Sequence, residues 1–333
     1  MSRTENKDQL RQSLIGYLSK QHFCSGEYLA QELSLSRTAI SKHIAALRRS
    51  GFKIDAVRGK GYHLASSFEV LDQALITSLV AERSEIEPDS IELFASIPST
   101  NDYLLQQASL PSQRVVIAEE QTAGRGRQGR RWLSSAGNIT LSLSWRFQRA
   151  QAAMSGLTLA VAIAVIRAIE AQDEQCKDKI KVKWPNDVLF DGAKLAGILV
   201  ELRGEAMGPV DVVMGVGVNI SLPSEWQQRI EQRATDMSAL IEKPISRNQF
   251  AADLIVELQR CCKEFAEHGF GPFRRQWRQR DLYHNKPVTL RIAETLHRGI
   301  SEGVDDNGAL LLRYGNTLKA FHSGEIERSR FEL

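Results

Sequence analysis

Four short segments of this sequence bring together residue types suited to binding and activating an anionic ligand. The first, Gly124-Arg125-Gly126-Arg127-Gln128-Gly129-Arg130, sets three guanidiniums between glycines. Glycine leaves backbone N–H groups open to close approach, and arginine donates bidentate, charge-assisted hydrogen bonds, so the combination suits a polyphosphate. Contacts of that kind contribute about 1.5–3 kcal/mol each, enough for two or three to order a loop on its ligand. The segment formally matches G-x-G-x-x-G. However, Arg131-Trp132-Leu133-Ser134-Ser135 lacks the helical pattern a dinucleotide site requires, which excludes that reading. Taken alone, a basic loop without a ligand stays open as the alternative.

The other three segments are Lys183-Trp184-Pro185-Asn186-Asp187 with Lys194-Leu195-Ala196-Gly197, then Gly215-Val216-Gly217-Val218-Asn219, and Ser99-Thr100-Asn101-Asp102. Glycines at 197, 215 and 217 weaken strands otherwise rich in β-branched residues, and close approach of a ligand explains them best. Lys194 opens its strand beside Gly197, where it can meet an anion; for Lys183 alone a solvated strand face is the better role. Asn186 and Asn219 could pair with a base edge, with turn formation an equal candidate for Asn186. Ser99 and Asp102 form a capping-box pattern that also leaves N–H groups and hydroxyls for a polar ligand head.

Short strands and helices must position these segments. Residues 115–119 form a continuous apolar strand. Residues 139–147 alternate apolar and polar at period two, as a half-buried strand does, and 180–184 do the same. Residues 195–202 and 211–220 are two more strands, joined by a glycine-rich loop that suits a hairpin. An uncharged stretch between Arg149 and Arg167 is too short for the roughly 20 residues of a bilayer span and reads as a buried helix. The expectation is an α+β chain with a mixed central sheet.

The N-terminus reads differently. Leu10, Leu14, Tyr17 and Leu18 recur at helical spacing, a second helix runs over 26–33, and Ser36 caps a third that ends at Gly51. Ile40, Ile44 and Leu47 form one apolar stripe, while Arg37, Thr38, Ser41, Lys42 and Arg48 occupy the opposite face. Residues 52–57 and 62–64 make a hairpin with Arg58 and Lys60 at its tip. Two helices joined by a short turn, the second presenting Arg, Thr, Ser and Lys, with a cationic hairpin behind, match a winged helix-turn-helix. Arg58 and Lys60 would contact phosphates, and Arg37, Thr38, Ser41 and Lys42 would lie against the groove. Charge agrees: residues 1–66 hold eleven Lys/Arg against five Asp/Glu, although the whole chain is only +3. A module that binds a polyanion followed by one that does something else is the reading this imbalance supports.

Composition sets the outer bounds. The 333 residues suffice for two or three domains with substantial cores. Cys24, Cys176, Cys261 and Cys262 show no metal-ligand spacing and read as buried reduced thiols. The first twelve residues are polar, unlike a signal peptide, so the chain is expected in the cytoplasm with no membrane partner.

Together these motifs resemble the bifunctional biotin protein ligase and biotin operon repressor family of bacteria, and the resemblance runs from the DNA module to the C-terminus. Segments 124–130, 183–187 and 194–197 are its specific part. It implies a winged helix-turn-helix over 1–66, a catalytic domain over 67–283 similar to the sheet of class II aminoacyl-tRNA synthetases, and an SH3-like barrel over 284–333. Residues 286–292, 296–304, 308–314 and 318–326 read as the strands of that barrel.

The resemblance further implies biotin and ATP as substrates, with Mg²⁺ expected, and two half-reactions: biotinyl-adenylate forms, then a lysine of the biotin carboxyl carrier protein takes the biotinyl group. Ser99, Thr100, Asn101 and Gln121 would hold the biotin head. Gly124, Arg125, Gly126 and Arg127 would cover the phosphates, and Trp132 would stand beside the adenine with Asn186 and Asn219 on its edge. Lys194 would stabilise developing charge, Arg127 would assist, and Gly215 and Gly217 would admit the ligand. No carboxylate cluster in the sequence marks a site for the metal, and Asp187 is named for it without a motif behind it. Adenylate binding would drive a homodimer onto operator DNA of biotin synthesis genes. The rival readings are a lipoate-type ligase of similar fold and a ligand-sensing transcription factor without catalysis.

Overall fold

The computed structural model describes residues 3–327 apart from 20, 21, 66, 67, 108, 206 and 231. The expected boundary at 66 and 67 and the last six residues therefore lie outside the described residues. The N-terminal elements are α1 (Arg3–Leu18), α2 (Gly26–Glu32), α3 (Arg37–Arg49), β1 (Ile54–Val57) and β2 (Gly61–Leu64). Local chemistry fixes their boundaries. Ser25 and Ser36 stand extended at the helix starts, and their hydroxyls accept from Tyr28 N and Ala39 N, both at 3.1 Å. Gly51 turns the chain out of α3 with φ +103°, a conformation that side chains avoid. Leu14, Leu18, Leu29, Ile40, Ile44 and Leu47 close a small core.

This module is seated on the rest of the chain. Ala95 and Ala136 complete its core. Ala136 N donates to Ser50 O and Ser96 N to the Asp8 carboxylate, each at 2.7 Å. Arg11 pairs with Glu120 at 2.6 Å, both side chains less than one-fifth exposed.

The central segment contains α4 (Gln73–Ala81), β3 (Ile91–Phe94), α5 (Thr100–Leu105), β4 (Val115–Ala118), β5 (Ile139–Phe147), α6 (Leu157–Glu170), β6 (Ile180–Lys183), β7 (Asp187–Phe190), β8 (Ala193–Gly204), β9 (Val210–Val218), α7 (Ser224–Gln227), α8 (Arg247–His268) and α9 (Gly271–Arg280). Seven strands form one mixed sheet in the order β3-β4-β5-β9-β8-β7-β6. Only β3 and β4 pair in parallel. Leu141 and Leu143 of β5 belong to a large core with α6 and α8 on one face. The other face carries α5, whose Leu104 packs with Val116 and Val213.

The period-two reading of 139–147 needs correction, because all of β5 except Arg146 is buried. Of its polar residues, Ser142 meets Thr100 and Asn101 of α5, while Thr140 and Ser144 donate to Ala118 O and Pro111 O. The apolar stretch before Arg167 is helix α6, sandwiched in the core as its lack of charge requires.

The C-terminal strands are β10 (Pro287–Ile292), β11 (Thr295–Val304), β12 (Leu310–Tyr314), β13 (Thr317–Phe321) and β14 (Glu325–Glu327), an antiparallel sheet in the order β13-β12-β11-β10-β14. The expected single strand over 318–326 is two strands, since Gly324 turns the chain with φ +136° and β14 leaves β13 to pair with β10. A loop of this sheet docks on the central segment. Trp184 Nε1 donates to Gly308 O at 3.1 Å, and Ser155 Oγ donates to Asn307 O at 2.7 Å.

Candidate functional site

The predicted segments converge on a cavity of about 870 Å³ on the α5 face of the sheet, at the end where β7 meets β8. Among its lining residues are Ser99, Thr100, Asn101, Gln121, Arg125, Gly126, Arg127, Trp132, Asn186, Lys194, Gly215, Gly217 and Asn219. One end is a buried polar floor. Gln121 Oε1 accepts from Thr100 N at 2.8 Å and Thr100 Oγ1 at 3.1 Å. Ser142 Oγ donates to Asn101 Oδ1 at 2.5 Å and lies 2.7 Å from Thr100 Oγ1. The capping box is half formed: Ser99 Oγ accepts from Asp102 N, but the Asp102 carboxylate turns away to Arg125. The amides of Thr100 and Asp102 are thus already engaged, and the hydroxyl and amide side chains are what this floor offers a polar head.

Above the floor the loop folds back on itself. Gly126 N donates to Arg130 O at 2.7 Å and Trp132 N to Gly124 O at 2.9 Å. Its three guanidiniums are not equivalent, which the sequence did not reveal. Arg125 is held by Asp102 at 2.5 Å and Glu201 at 2.9 Å, and Arg130 by Glu325 of β14 at 2.5 Å. Arg127 is the most enclosed of the three and pairs directly with no carboxylate among the described residues. Burial pushes its guanidinium below the ordinary arginine value, with Asp187 and Glu325 pulling the other way. An enclosed cation facing a cavity without a partner is suited to an incoming anion.

At the far end Lys194 Nζ meets Asp187 Oδ1 at 2.7 Å, with both side chains under one-fifth exposed. The ammonium also lies 5.6 Å from the centre of the Trp132 ring. Asn186 donates from Nδ2 to Ile198 O at 2.9 Å, and Asn219 from Nδ2 to Thr235 O at 3.0 Å. Both amide donors are therefore tied to backbone, leaving their carbonyl oxygens for any base edge. Among the described residues no cluster of three His, Cys, Asp or Glu could hold a metal, and Asp187 is engaged by Lys194.

The strand glycines make room for side chains before they make room for a ligand. A Cβ on Gly215 would stand 2.2 Å from Asn101 Oδ1, and one on Gly217 would stand 2.3 Å from Trp132 Cζ2. Gly197 similarly faces Trp132 Cζ3 at 3.0 Å. The indole thus lies flat on a glycine-paved stretch of β8 and β9. Ser142, Glu201 and Glu325 were missed by the sequence reading. Only Ser142 left a signal, in the polar face of its strand.

The N-terminal module presents a separate surface. Arg37, Thr38, Ser41, Lys42, Arg58 and Lys60 are all exposed. Arg48, expected beside them, instead donates from Nη2 to Ile54 O at 2.6 Å and braces β1 against α3.

Comparison with known proteins gives a consistent picture. Residues 93–219 match the biotin/lipoate A/B protein ligase family, residues 11–63 an HTH domain, and residues 283–329 the biotin protein ligase C terminal domain. The chain is 38% identical to the bifunctional ligase/repressor BirA of Escherichia coli (strain K12) over 319 residues, covering 94% of this chain and 95% of the relative. It is 31% identical to the protein of that name in Bacillus subtilis (strain 168), over 96% of this chain and 98% of the relative. Among solved structures, the biotin protein ligase from Aquifex aeolicus in complex with biotin and ATP is similar with a TM-score of 0.60 and 26% identity, covering 71% of this chain and 97% of that one.

Proposed function

This chain belongs to the bifunctional biotin protein ligase and repressor family, and we propose on that premise that it activates biotin with ATP, transfers it to a carrier-protein lysine, and represses transcription through its winged module. The observation that carries the catalytic part is the cavity in which Lys194 and Arg127 face a buried polar floor across the Trp132 indole. In the first half-reaction a biotin carboxylate oxygen attacks the α-phosphorus of ATP and the bond to pyrophosphate breaks. Negative charge builds on the α-phosphoryl oxygens and the leaving group, where Lys194 and Arg127 are the available cations. In the second, the ε-amine of a lysine on the biotin carboxyl carrier protein attacks the acyl carbon, AMP leaves, and the amine gives up its proton. Thr100, Asn101, Ser142 and Gln121 orient the biotin head, and the 124–130 loop keeps water from the mixed anhydride. Mg²⁺, when bound, would neutralise charge on the ATP phosphates.

The exposed cations of α3 and the β1–β2 hairpin fit operator DNA. One recognition helix reads one half-site, so a homodimer is the arrangement a palindromic operator asks for. Reduced, buried cysteines fit a cytoplasmic setting.

The deciding experiment is ATP–pyrophosphate exchange by the full chain, with biotin and lipoate supplied in parallel. Exchange with biotin alone is expected. Exchange with lipoate alone would move the assignment to the lipoate ligases, and none with either would leave a sensor.

A further inference from the structure

The three loop arginines differ in what holds them, and Arg125 is held most firmly. Asp102 grips it with both oxygens, Oδ1 accepting from Nη2 at 2.5 Å and Oδ2 from Nε at 3.2 Å. Glu201 adds both of its oxygens, each 2.9 Å from Nη2. Two carboxylates around one guanidinium leave a local charge of −1, which repels a phosphate rather than attracting it. The guanidinium's own proton affinity is raised, chiefly by the Asp102 hydrogen bond. Arg125 is thus the wrong member of the loop to serve as a phosphate ligand, although its sequence position suggested that role.

Glu201 does not act on the loop alone. Its Oε2 also accepts from Asn101 Nδ2 at 2.8 Å, and Asn101 Oδ1 accepts from Ser142 Oγ at 2.5 Å. Ser142 in turn touches Thr100, which donates to Gln121. The carboxylate that fastens the loop is therefore bonded to the floor on which the head group would sit. Neither Asp102 nor Glu201 lines the cavity itself.

We propose that Asp102 and Glu201 are positioning residues: a two-carboxylate catch that holds the 124–130 loop closed through Arg125, so that the loop retains the acyl-adenylate while Arg127 remains free for its phosphate. The inference rests on the adenylate chemistry proposed above for the same cavity. It divides the loop into a fastening arginine and a ligand-facing one.

The test uses Asp102→Asn and Glu201→Gln in the full chain, each deciding the matter without the other. Tryptic cleavage after Arg125, Arg127 and Arg130, mapped by mass spectrometry on ligand-free protein, is expected to rise about tenfold, as loss of charge-assisted bonds predicts. Escape of preformed biotinyl-adenylate in a chase should rise by a similar factor, while KM for ATP and the burst rate at saturating substrates stay within about twofold. The exchanged pair Arg125→Glu with Asp102→Arg should restore protection at Arg127 and Arg130, because the ion pair between the loop and α5 is kept with its ends exchanged. Unchanged cleavage and escape, or a raised KM for ATP with escape unmoved, would overturn the proposal. If the wild-type chain formed no adenylate, the cleavage comparison would still report on the catch, separating its failure from failure of the catalytic reading.

Discussion

Lys194 Nζ lies 2.7 Å from Asp187 Oδ1 inside the cavity, and this pair decides how the lysine meets its substrate. Lys194 pairs with Leu189 of β7 while Asp187 pairs with Gly197, so the lysine reaches Asp187 by lying over Gly197, where a Cβ would stand 3.0 Å from its Cε. The carboxylate holds the ammonium in place until a substrate anion shares it. Truncating either partner leaves the other partly buried and alone. Lys194→Ala is expected to fold yet lose pyrophosphate exchange by about 10²–10³-fold, the range for removing a charge that acts at the transition state. Wild-type exchange in a folded variant would refute the assignment. Asp187→Asn keeps the ammonium and should cost far less in kcat.

Arg127 is the loop cation that no carboxylate claims directly among the described residues, and its burial already lowers its guanidinium from the ordinary value. Arg127→Gly should therefore keep the fold but release biotinyl-adenylate early. Bystander proteins mixed with the variant, biotin and ATP would acquire biotin on scattered lysines, visible on a streptavidin blot. Adenylate held as tightly as in the wild-type protein would show that the side chain has another purpose.

The glycines under Trp132 and Asn101 make a sharper prediction than ligand clearance would. Gly217→Ala places a methyl 2.3 Å from the indole, and Gly215→Ala places one 2.2 Å from the Asn101 amide. Both alanines suit a strand backbone better than glycine does. The variants should melt within a few degrees of wild type and yet bind substrates poorly, Gly217→Ala losing nucleotide and Gly215→Ala losing biotin. Isothermal titration of each ligand separates the two, and equal weakening of both ligands in each variant would refute the division.

These glycines also mark what sequence could show. Their presence in β-branched strands signalled a close approach, but what approaches is a side chain 85 positions away at Gly217 and 114 at Gly215, which no spacing rule reports. The serine caps, the α3 stripe and the β8–β9 hairpin were legible because each is set within a few residues. The alternation along β5 was legible as strand but not as site, since period two says which residues share a face and nothing about what covers it. Arg125 and Arg127 are two residues apart and chemically identical in the sequence. Only the fold, by bringing Asp102 and Glu201 to one of them, gives them different tasks. The folding back of β14 onto β10, which brings Glu325 to Arg130, likewise depends on how one sheet docks on another.

Asp281 stands where α9 runs into the C-terminal sheet, and burial pushes its carboxyl up to about 6 from 3.8, against the opposing pull of the Tyr283 amide, His284 and Lys286. A raised folded-state value means that the folded chain binds this proton more tightly than the unfolded chain does. Stability from this group is therefore fully present below about pH 4, falls as pH rises through the interval to about 6, and is gone above it. A rise of that size corresponds to at most about 3 kcal/mol, reduced in practice by the part of the side chain that water reaches. Asp281→Asn keeps an oxygen for the Tyr283 amide, now 3.0 Å from Oδ1. It should melt above wild type at pH 8 and level with it at pH 4. A constant difference across that range would mean that the carboxyl is not the titrating group.

The DNA surface should separate cleanly from the cavity, because the six exposed residues of α3 and the hairpin share no contact with it. Arg58 and Lys60 sit at the hairpin tip and Arg37 at the start of α3, where the helix N-terminus meets a groove. Lys60→Ala removes one cation from phosphate contact and should reduce the slope of log affinity against log salt by about 0.9, while weakening all duplexes alike. Arg37→Ala, lying against base edges, should cost about 1–3 kcal/mol on the operator and little on unrelated sequence. Pyrophosphate exchange should be unchanged in both. If Lys60→Ala left the salt slope intact, the hairpin would lie off the DNA, and recognition would have to run through α3 alone.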